Sequence, residues 1–458
     1  MTRRTAWRRA AGHRGRRPLA VAARFAAVAA VLCAVGALPD GSAVAAGAPG
    51  GGTYAFAEDA HTVDGAKSTT DAVRLDPGKI YRSSITEGAE LSYRLELDAT
   101  TTAYVPVTVV PPADATVSAT DGIRVSVQDA DGTPCSYTSA RFGAGLSPRP
   151  VTALGIREAG KTLCQEAGTY YVLVQRLDAT GSAGSTSPGA WGLEMAPVTE
   201  PRTTRAESTD APEAWDSASP EAVTGDPGRR TGGAGFATAR ALETGVWRTS
   251  IAPGQTLFYK VPVDWGQQLY ATAELGSSTS RGGYVSGALD LSLHNPVRGR
   301  VDDVARGYTG SQLTAAVAPL PPVEYRNRYA VRDDMRAMRF AGSYYLVVHL
   351  SGHMTDTFGK GPFGLTLRVR VAGTAHEGPA YAGTPGQHRL FEVTPQDREA
   401  AASGGTGGAG GGNPTMKAVA AGGIGTGTAL LLLLAVWTVA ARRRAGTQTR
   451  ASAQKPTA

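Results

Sequence analysis

The feature that most constrains this chain is an internal repeat. Residues 81–85, Tyr-Arg-Ser-Ser-Ile, recur as residues 247–251, Trp-Arg-Thr-Ser-Ile, at an offset of 166 (247 minus 81). Residues 167–171, Ala-Gly-Thr-Tyr-Tyr, recur as residues 341–345, Ala-Gly-Ser-Tyr-Tyr, at an offset of 174 (341 minus 167). Two diverged copies of one module therefore make up most of the chain, and each copy is long enough to enclose its own hydrophobic core.

The hydrophobic pattern inside each copy predicts β-strands. In residues 91–97, leucine and tyrosine alternate strictly with polar residues, and residues 257–263 keep the same phase. This period of two is typical of a strand with one buried face. Many such short runs, separated by turn residues such as Pro253-Gly254, predict an all-β fold of two tandem β-sandwich domains of jelly-roll-like type.

The N-terminal residues 1–45 predict an export signal. Seven arginines precede an apolar stretch at 19–38, and Ala43-Val44-Ala45 provides the small residues that a signal peptidase requires. Arginine pairs are also present, which leaves the general and the twin-arginine export routes open.

Residues 418–441 predict one transmembrane helix. This run of 24 uncharged residues is long enough to cross a hydrocarbon core of about 30 Å. Arg442-Arg443-Arg444 follows at once and should remain cytoplasmic, together with the rest of the tail 442–458. The sequence therefore predicts a single-pass protein of the plasma membrane with an extracellular N-terminal ectodomain.

Composition divides the predicted ectodomain. The first β-sandwich module is placed at 46–199 and the second at 232–372. The segment 200–231 between them is rich in Pro, Ser, Thr, Asp and Glu and predicts a linker. Residues 373–417 resemble that linker in composition and predict a flexible stalk, with a short apolar patch at 390–393 that suggests an added strand.

The charge of the chain excludes nucleic acid as a predicted partner. The whole chain has 46 Lys and Arg against 39 Asp and Glu. Residues 1–45 hold eight Arg and one Asp, and residues 442–458 hold four Arg and one Lys, so the remainder has 33 basic and 38 acidic residues, a net of −5. The basicity belongs to targeting and topology, and the exported part is mildly acidic.

Two cysteines remain after removal of Cys33 with the signal. Cys135 and Cys164 form an even pair in an exported protein, which predicts one disulfide bond. Both lie in the first copy, so the bond is a local staple of that copy.

A resemblance to a known family is carried by the second copy. The segments 254–261, 289–293, 341–348 and 363–367 follow one another in an order that resembles the bacterial pre-peptidase C-terminal domain. The resemblance implies a small β-sandwich that serves secreted proteins as an accessory or binding module. The acidic calcium loop of some members is not evident in the second copy, where His294-Asn295-Pro296 follows the strand, and no catalytic signature precedes the modules.

Residues that could carry chemistry each have a plainer structural interpretation. Asp129-Ala130-Asp131-Gly132 suits calcium or a hairpin turn, and the sequence leaves calcium open. His349 and His353 have a metal-like spacing but sit at a strand end. One tyrosine of each pair, Tyr170-Tyr171 and Tyr344-Tyr345, should point outward, where it is a candidate for binding.

We therefore expect a non-enzymatic binding or scaffold protein of the bacterial cell envelope, anchored to the membrane by its C-terminal helix. The expected site residues are the disulfide cysteines Cys135 and Cys164 alone, with no catalytic, metal or cofactor site. An envelope protein or a cell-wall polymer is the expected partner. The alternatives are an accessory subunit of a secretion or signalling complex and an envelope hydrolase, whose cleft would be sought in the insertion 301–340.

Overall fold

A computed structural model describes residues 53–178, 189–205, 209–210, 214–218, 220–280, 282–383 and 389–406. The predicted signal, transmembrane helix and cytoplasmic tail lie outside these residues. Among the residues described, no helix has both the length and the apolar character needed to cross a membrane. The described chain is mostly β-sheet with a few short helices, as the sequence predicts.

The first copy, with the strand that follows it, forms the strands β1 (His61–Thr62), β2 (Val73–Arg74), β3 (Tyr81–Ile85), β4 (Glu90–Leu97), β5 (Thr102–Val110), β6 (Gly122–Gln128), β7 (Pro134–Arg141), β8 (Val151–Arg157), β9 (Gly168–Leu177), β10 (Trp191–Met195) and β11 (Val198–Glu200).

The second copy forms the strands β12 (Gly228–Arg229), β13 (Arg240–Ala241), β14 (Gly245–Ile251), β15 (Thr256–Val263), β16 (Gln268–Leu275), β17 (Val285–His294), β18 (Arg300–Tyr308), β19 (Leu313–Ala316), β20 (Gly342–Leu350) and β21 (Phe363–Ala372). The α-helices of the described chain are α1 (Asp333–Ala337), α2 (Met354–Phe358) and α3 (Pro395–Ser403), and short 3₁₀ turns occupy Gly143–Gly145, Tyr325–Tyr329 and Arg389–Phe391.

These strands form two sheets in each copy. Sheet I has the order β1-β3-β10-β5-β11, with β8 also paired to β5, and sheet II has the order β2-β4-β9-β6-β7. In the second copy, sheet III has the order β12-β14-β21-β16-β19 and sheet IV the order β13-β15-β20-β17-β18. Except for the extra strand β11, the order of the second copy repeats that of the first.

The repeat extends to the register of the strands. Leu97 pairs with Gly168 across β4 and β9, and Val263 pairs with Gly342 across β15 and β20. These pairs are related by the two offsets read from the sequence, 166 for the first partner and 174 for the second. The copies therefore share topology and register as well as residue pattern.

Each pair of sheets encloses one core. Tyr93 and Val125 of sheet II belong to the same buried cluster as Val107 and Trp191 of sheet I. Sheets III and IV share a second cluster in the same way. Because the strands bury one side against the facing sheet, each copy is a β-sandwich, in agreement with the period of two in the sequence.

The structure differs from the predicted stalk between residues 389 and 406. Helix α3 begins at a capping box formed by Thr394 and Asp397, with Pro395 at its first position. Residues 389–391 form a 3₁₀ turn that buries Phe391, so the patch at 390–393 adds no strand. This part of the chain is folded against the second copy, since Arg398 pairs with Asp264 at 2.7 Å.

Candidate functional site: one open sheet face and its groove

The two copies pack against each other through the outer face of sheet I and the outer face of sheet IV. Glu194 on β10 is fully buried between them and accepts hydrogen bonds from Arg298 Nη1 at 2.6 Å and Tyr54 Oη at 2.9 Å. The Arg298 guanidinium also stacks on the Phe236 ring, 4.7 Å from its centroid. A buried carboxylate is thus paired with a buried cation from the other copy.

A second buried ionic contact lies beside β11. Glu200 accepts from Arg328 Nη2 at 2.7 Å and from Tyr104 Oη at 2.8 Å. Arg339 donates to the Tyr104 hydroxyl at 3.2 Å, and Phe340 packs edge-on against the Tyr104 ring. The residues that join the copies thus include the end of the insertion predicted at 301–340.

The structure locates the extra residues of that insertion. The connection from β19 to β20 spans 317–341, whereas the equivalent connection from β8 to β9 spans 158–167. The longer connection carries α1 and supplies Arg328 and Arg339 to the contact with the first copy. The shorter connection carries Cys164, so the two sequence differences between the copies occupy one equivalent place in the fold.

A row of three hydrogen-bonded side chains crosses the same interface. His349 Nε2 lies 2.9 Å from Ser147 Oγ, and His349 Nδ1 lies 2.9 Å from Thr256 Oγ1. The row resembles a nucleophile, a base and an orienting group. However, Ser147 and His349 are buried between the copies and a hydroxyl stands in place of the orienting carboxylate, so the row is a structural contact.

The histidine pair does not form a metal site. Burial, reinforced by the nearby positive charge of Arg149, lowers the pKa of His349 to about 3, so the imidazole is neutral. His353 turns instead to the Leu146 carbonyl at 3.1 Å. In the part of the chain that the structure describes, no group of three or more His, Cys, Asp or Glu side chains could hold a metal ion.

Of the four outer sheet faces, three are covered by other described parts of the chain. Sheets I and IV cover each other, and the predicted linker lies across sheet III. Arg368 Nη1 donates to the Val223 carbonyl at 2.7 Å, and Gln268 Nε2 donates to the Asp216 carbonyl at 3.3 Å. The outer face of sheet II remains open, and we call it the open face.

Comparison of the two copies explains why only one of the equivalent faces is open. Ser92 of sheet II corresponds to Phe258 of sheet IV at the offset of 166, and Gln175 corresponds to His349 at the offset of 174. Phe258 is buried against Tyr54 and Phe236 in the interface. The second copy therefore carries apolar side chains where it docks, and the first copy carries polar ones.

The open face combines tyrosine rings with hydrogen-bonding side chains. Tyr171 lies on the central strand β9, opposite Gln128 on β6. Tyr137 on β7 shares this face and is 73 % exposed. Arg94 and Glu96 form an ion pair of 2.7 Å beside them, so the surface is polar as well as aromatic.

A groove of about 440 Å³ adjoins the open face at the end of β6 and β9. Its walls include the polar side chains of Asp129, Asp131, Gln165, Glu166 and Thr169, and Tyr170 lies beneath them. The Cys135–Cys164 disulfide predicted from the sequence is present beside it. The groove is therefore acidic and polar, and one wall is fixed covalently to β7.

Arg157 fixes the same wall from inside. This side chain is fully buried, and its guanidinium donates to the carbonyls of Cys164 at 2.9 Å and Glu166 at 3.0 Å. It also donates to the Thr101 carbonyl at 2.7 Å and stacks on the Tyr170 ring. Hydrogen bonds from a buried cation are among the stronger ones in proteins, so the groove wall is rigid.

The acidic turn at 129–132 has the geometry of a hairpin turn. Asp129 Oδ1 accepts from the backbone N–H groups of Asp131 at 3.1 Å and Thr133 at 2.8 Å. The carboxylate thus satisfies the turn backbone, the structural interpretation weighed in the sequence.

The tyrosine pairs are divided as their alternation predicts. Tyr170 and Tyr344 are buried, whereas Tyr171 lies on the open face. Tyr345, its equivalent, packs edge-on against Phe236 in the interface. Sequence reasoning missed Tyr137, although its register opposite Ser126, with Val125 and Val127 directed inward, would have placed it outward.

Comparison with known proteins leaves the family open. No protein-family profile and no curated protein matches the chain.

Three solved structures illustrate the fold-level similarities. A candidate secreted protein from Eubacterium rectale is 11 % identical, with 68 % of this chain and 81 % of that chain covered and a TM-score of 0.17. The N-terminal CBM22-1-CBM22-2 tandem domain of Paenibacillus barcinonensis Xyn10C is 10 % identical, with 65 % and 92 % covered and a TM-score of 0.17. The CUB1-EGF-CUB2 domain of human MASP-1/3 is 7 % identical, with 63 % and 99 % covered and a TM-score of 0.16. At these scores the similarities support no conclusion about family or function.

Proposed function

We propose that the protein is a non-enzymatic binding protein of the bacterial cell envelope, anchored by the predicted helix 418–441 and exported by the predicted signal 1–45. Its binding surface is the open face together with the adjoining groove. The observation that carries this proposal is the selective exposure of one outer face among four, with Tyr137 and Tyr171 on it.

The chemistry of the open face favours a hydroxyl-rich polymer as ligand. Tyrosine rings offer flat apolar area with a polar end, and carboxylate, amide and guanidinium groups bind hydroxyls. A protein partner that added a strand would need a free sheet edge. The β7 edge is instead closed towards β8, because Ser136 Oγ accepts from the Ile156 N–H at 2.8 Å.

The test is binding of the full chain to purified cell-wall glycan. We expect Tyr137→Ala to weaken binding about tenfold, since an exposed aromatic at the centre of a binding surface contributes on the order of 1.4 kcal/mol. Tyr284→Ala is the matched control, because Tyr284 is 64 % exposed on the second copy, far along the chain from the open face.

Three results would overturn the proposal. The wild-type chain could fail to bind the glycan, the two tyrosine variants could weaken binding equally, or the wild-type chain could hydrolyse the polymer. The last result would favour the hydrolase alternative, with Asp131 and Glu166 in the groove as the first carboxylates to replace.

A further inference from the structure

The chain leaves the described fold at a defined point after helix α3. The Ala241 N–H donates to the Gly405 carbonyl at 3.0 Å, so the residues after the helix are held against β13. Arg230 Nη2 donates to the Ala402 carbonyl at 3.3 Å near the end of the helix. Thr406 is the last residue described, and 11 residues, 407–417, separate it from the predicted transmembrane helix.

These 11 residues limit how far the fold can stand from the membrane. Fully extended, they and their end bonds span at most about 40 Å, whatever their conformation. The chain exit and the surface around it therefore form the membrane-proximal side of the ectodomain when the span is inserted.

Four arginines surround this exit: Arg229, Arg230, Arg240 and Arg248. We call them the exit patch. Arg229 and Arg248 are direct partners in the pairing of β12 with β14, and both are exposed. Arg240 is exposed on β13, next to the residue that bonds Gly405. The Arg230 guanidinium lies over the Trp247 ring, 4.4 Å from its centroid.

The exit patch carries excess positive charge. The pKa of Arg230 is lowered, first by its partial burial, and the positive charge of Arg240 lowers it further against the opposing effect of Glu243. Arg230 Nε is buried without a hydrogen-bond partner. Since the predicted exported part has a net charge of −5, this concentration of arginines runs against its overall composition.

We propose that the exit patch docks on anionic headgroups of the membrane that holds the span, and so fixes the orientation of the two sandwiches. Guanidinium groups bind phosphate oxygens in a two-pronged geometry, and each basic residue near an anionic surface strengthens binding several-fold. This inference rests on the anchoring in the proposed function.

The experiment uses the full chain in nanodiscs of phosphatidylcholine, with or without phosphatidylglycerol. A fluorophore on Thr231→Cys, an exposed position beside the exit patch, reports docking through quenching by nitroxide-labelled headgroups. We expect quenching to rise with phosphatidylglycerol. In 1 M salt it should fall, because the screening length shrinks from about 10 Å to about 3 Å.

Charge variants test which surface docks. The double variant Arg229→Gln/Arg248→Gln should lower the ratio of docked to undocked chain about 30-fold, at roughly fivefold per arginine. The control Arg124→Gln/Arg306→Gln removes two exposed arginines elsewhere and should leave the ratio unchanged.

The outcomes separate this inference from the anchoring on which it rests. Loss of the chain from the lipid fraction on flotation would refute the anchor. Flotation with quenching that ignores phosphatidylglycerol, or an equal effect of both double variants, would refute the exit patch alone. Release by inorganic phosphate at constant ionic strength would identify a soluble-ion site and refute docking on lipid.

Discussion

Replacing Glu194 by glutamine tests whether the two sandwiches form one cooperative body. The Glu194 side chain is 0 % exposed, and its partner Arg298 retains 10 % exposure of the side chain. Glutamine has the same shape but no charge, so the variant leaves the Arg298 guanidinium buried without a compensating carboxylate. The N-terminal segment is also affected, because Ala57 N–H donates to the second carboxylate oxygen at 3.1 Å.

Removal of one partner from a buried ion pair costs about 3–5 kcal/mol. The described fold has roughly 350 residues, and at about 2.1 cal/mol/K per residue its unfolding entropy is about 0.7 kcal/mol/K. The expected decrease in Tm is therefore about 4–7 °C, in a single transition, because the unpaired charge destabilises both copies at once.

Calorimetry of the unfolding transition checks this value. Glu96→Gln is the control, since Glu96 pairs with Arg94 on the open face with both side chains about one-third or more exposed, and exposed pairs contribute less than about 1 kcal/mol. Glu194→Met combined with Arg298→Met should recover most of the loss. Two separate transitions, or a Glu194→Gln effect no larger than that of Glu96→Gln, would refute the reasoning.

Two further predictions concern pH and the disulfide. Burial, the largest cause in each case, lowers the folded-state pKa of His294 to about 4 and of His349 to about 3, below the value near 6.5 of an unfolded histidine. The unfolded chain therefore binds more protons below pH 6.5, and the free energy of unfolding should fall by about 2 kcal/mol between pH 6 and pH 5; urea titrations should show about half that slope in His349→Gln, and identical slopes would contradict the assignment. Replacing both Cys135 and Cys164 by serine should cost about 3 kcal/mol for a loop closed over 29 positions, with glycan binding weakened because the groove wall loosens; unchanged stability by urea unfolding would contradict a structural role.

The repeat, the strand type and the disulfide could be read from the sequence because each depends on local pattern. Strict alternation in residues 91–97 is sufficient to predict a strand with one buried face, and a cysteine pair in an exported chain is sufficient to predict a bond. The packing of the copies was missed, although its signal was present. Leu257-Phe258-Tyr259 and Leu346-Val347-Val348 are continuously apolar, which is typical of strands buried on both faces.

The helix after the second copy gave a weaker signal. Residues 395–405 are rich in alanine and glycine, and α3 buries only Ala400 and Ala401. Such a helix depends on its capping box and on a prepared surface, neither of which is visible in hydrophobic periodicity. The buried carboxylates Glu194 and Glu200 were equally hidden, because a single strand does not reveal that an outward residue meets a cation from another module.

The short passage from Gly405 to the predicted span sets a limit on which layer of the envelope the protein can sample. A compact fold of roughly 350 residues has a radius of gyration of about 20 Å and a diameter on the order of 50 Å. Added to a tether of at most about 40 Å, this keeps the open face within roughly 100 Å of the bilayer. The protein thus surveys a shallow zone next to the membrane, and the depth of that zone is set by how little chain remains after helix α3.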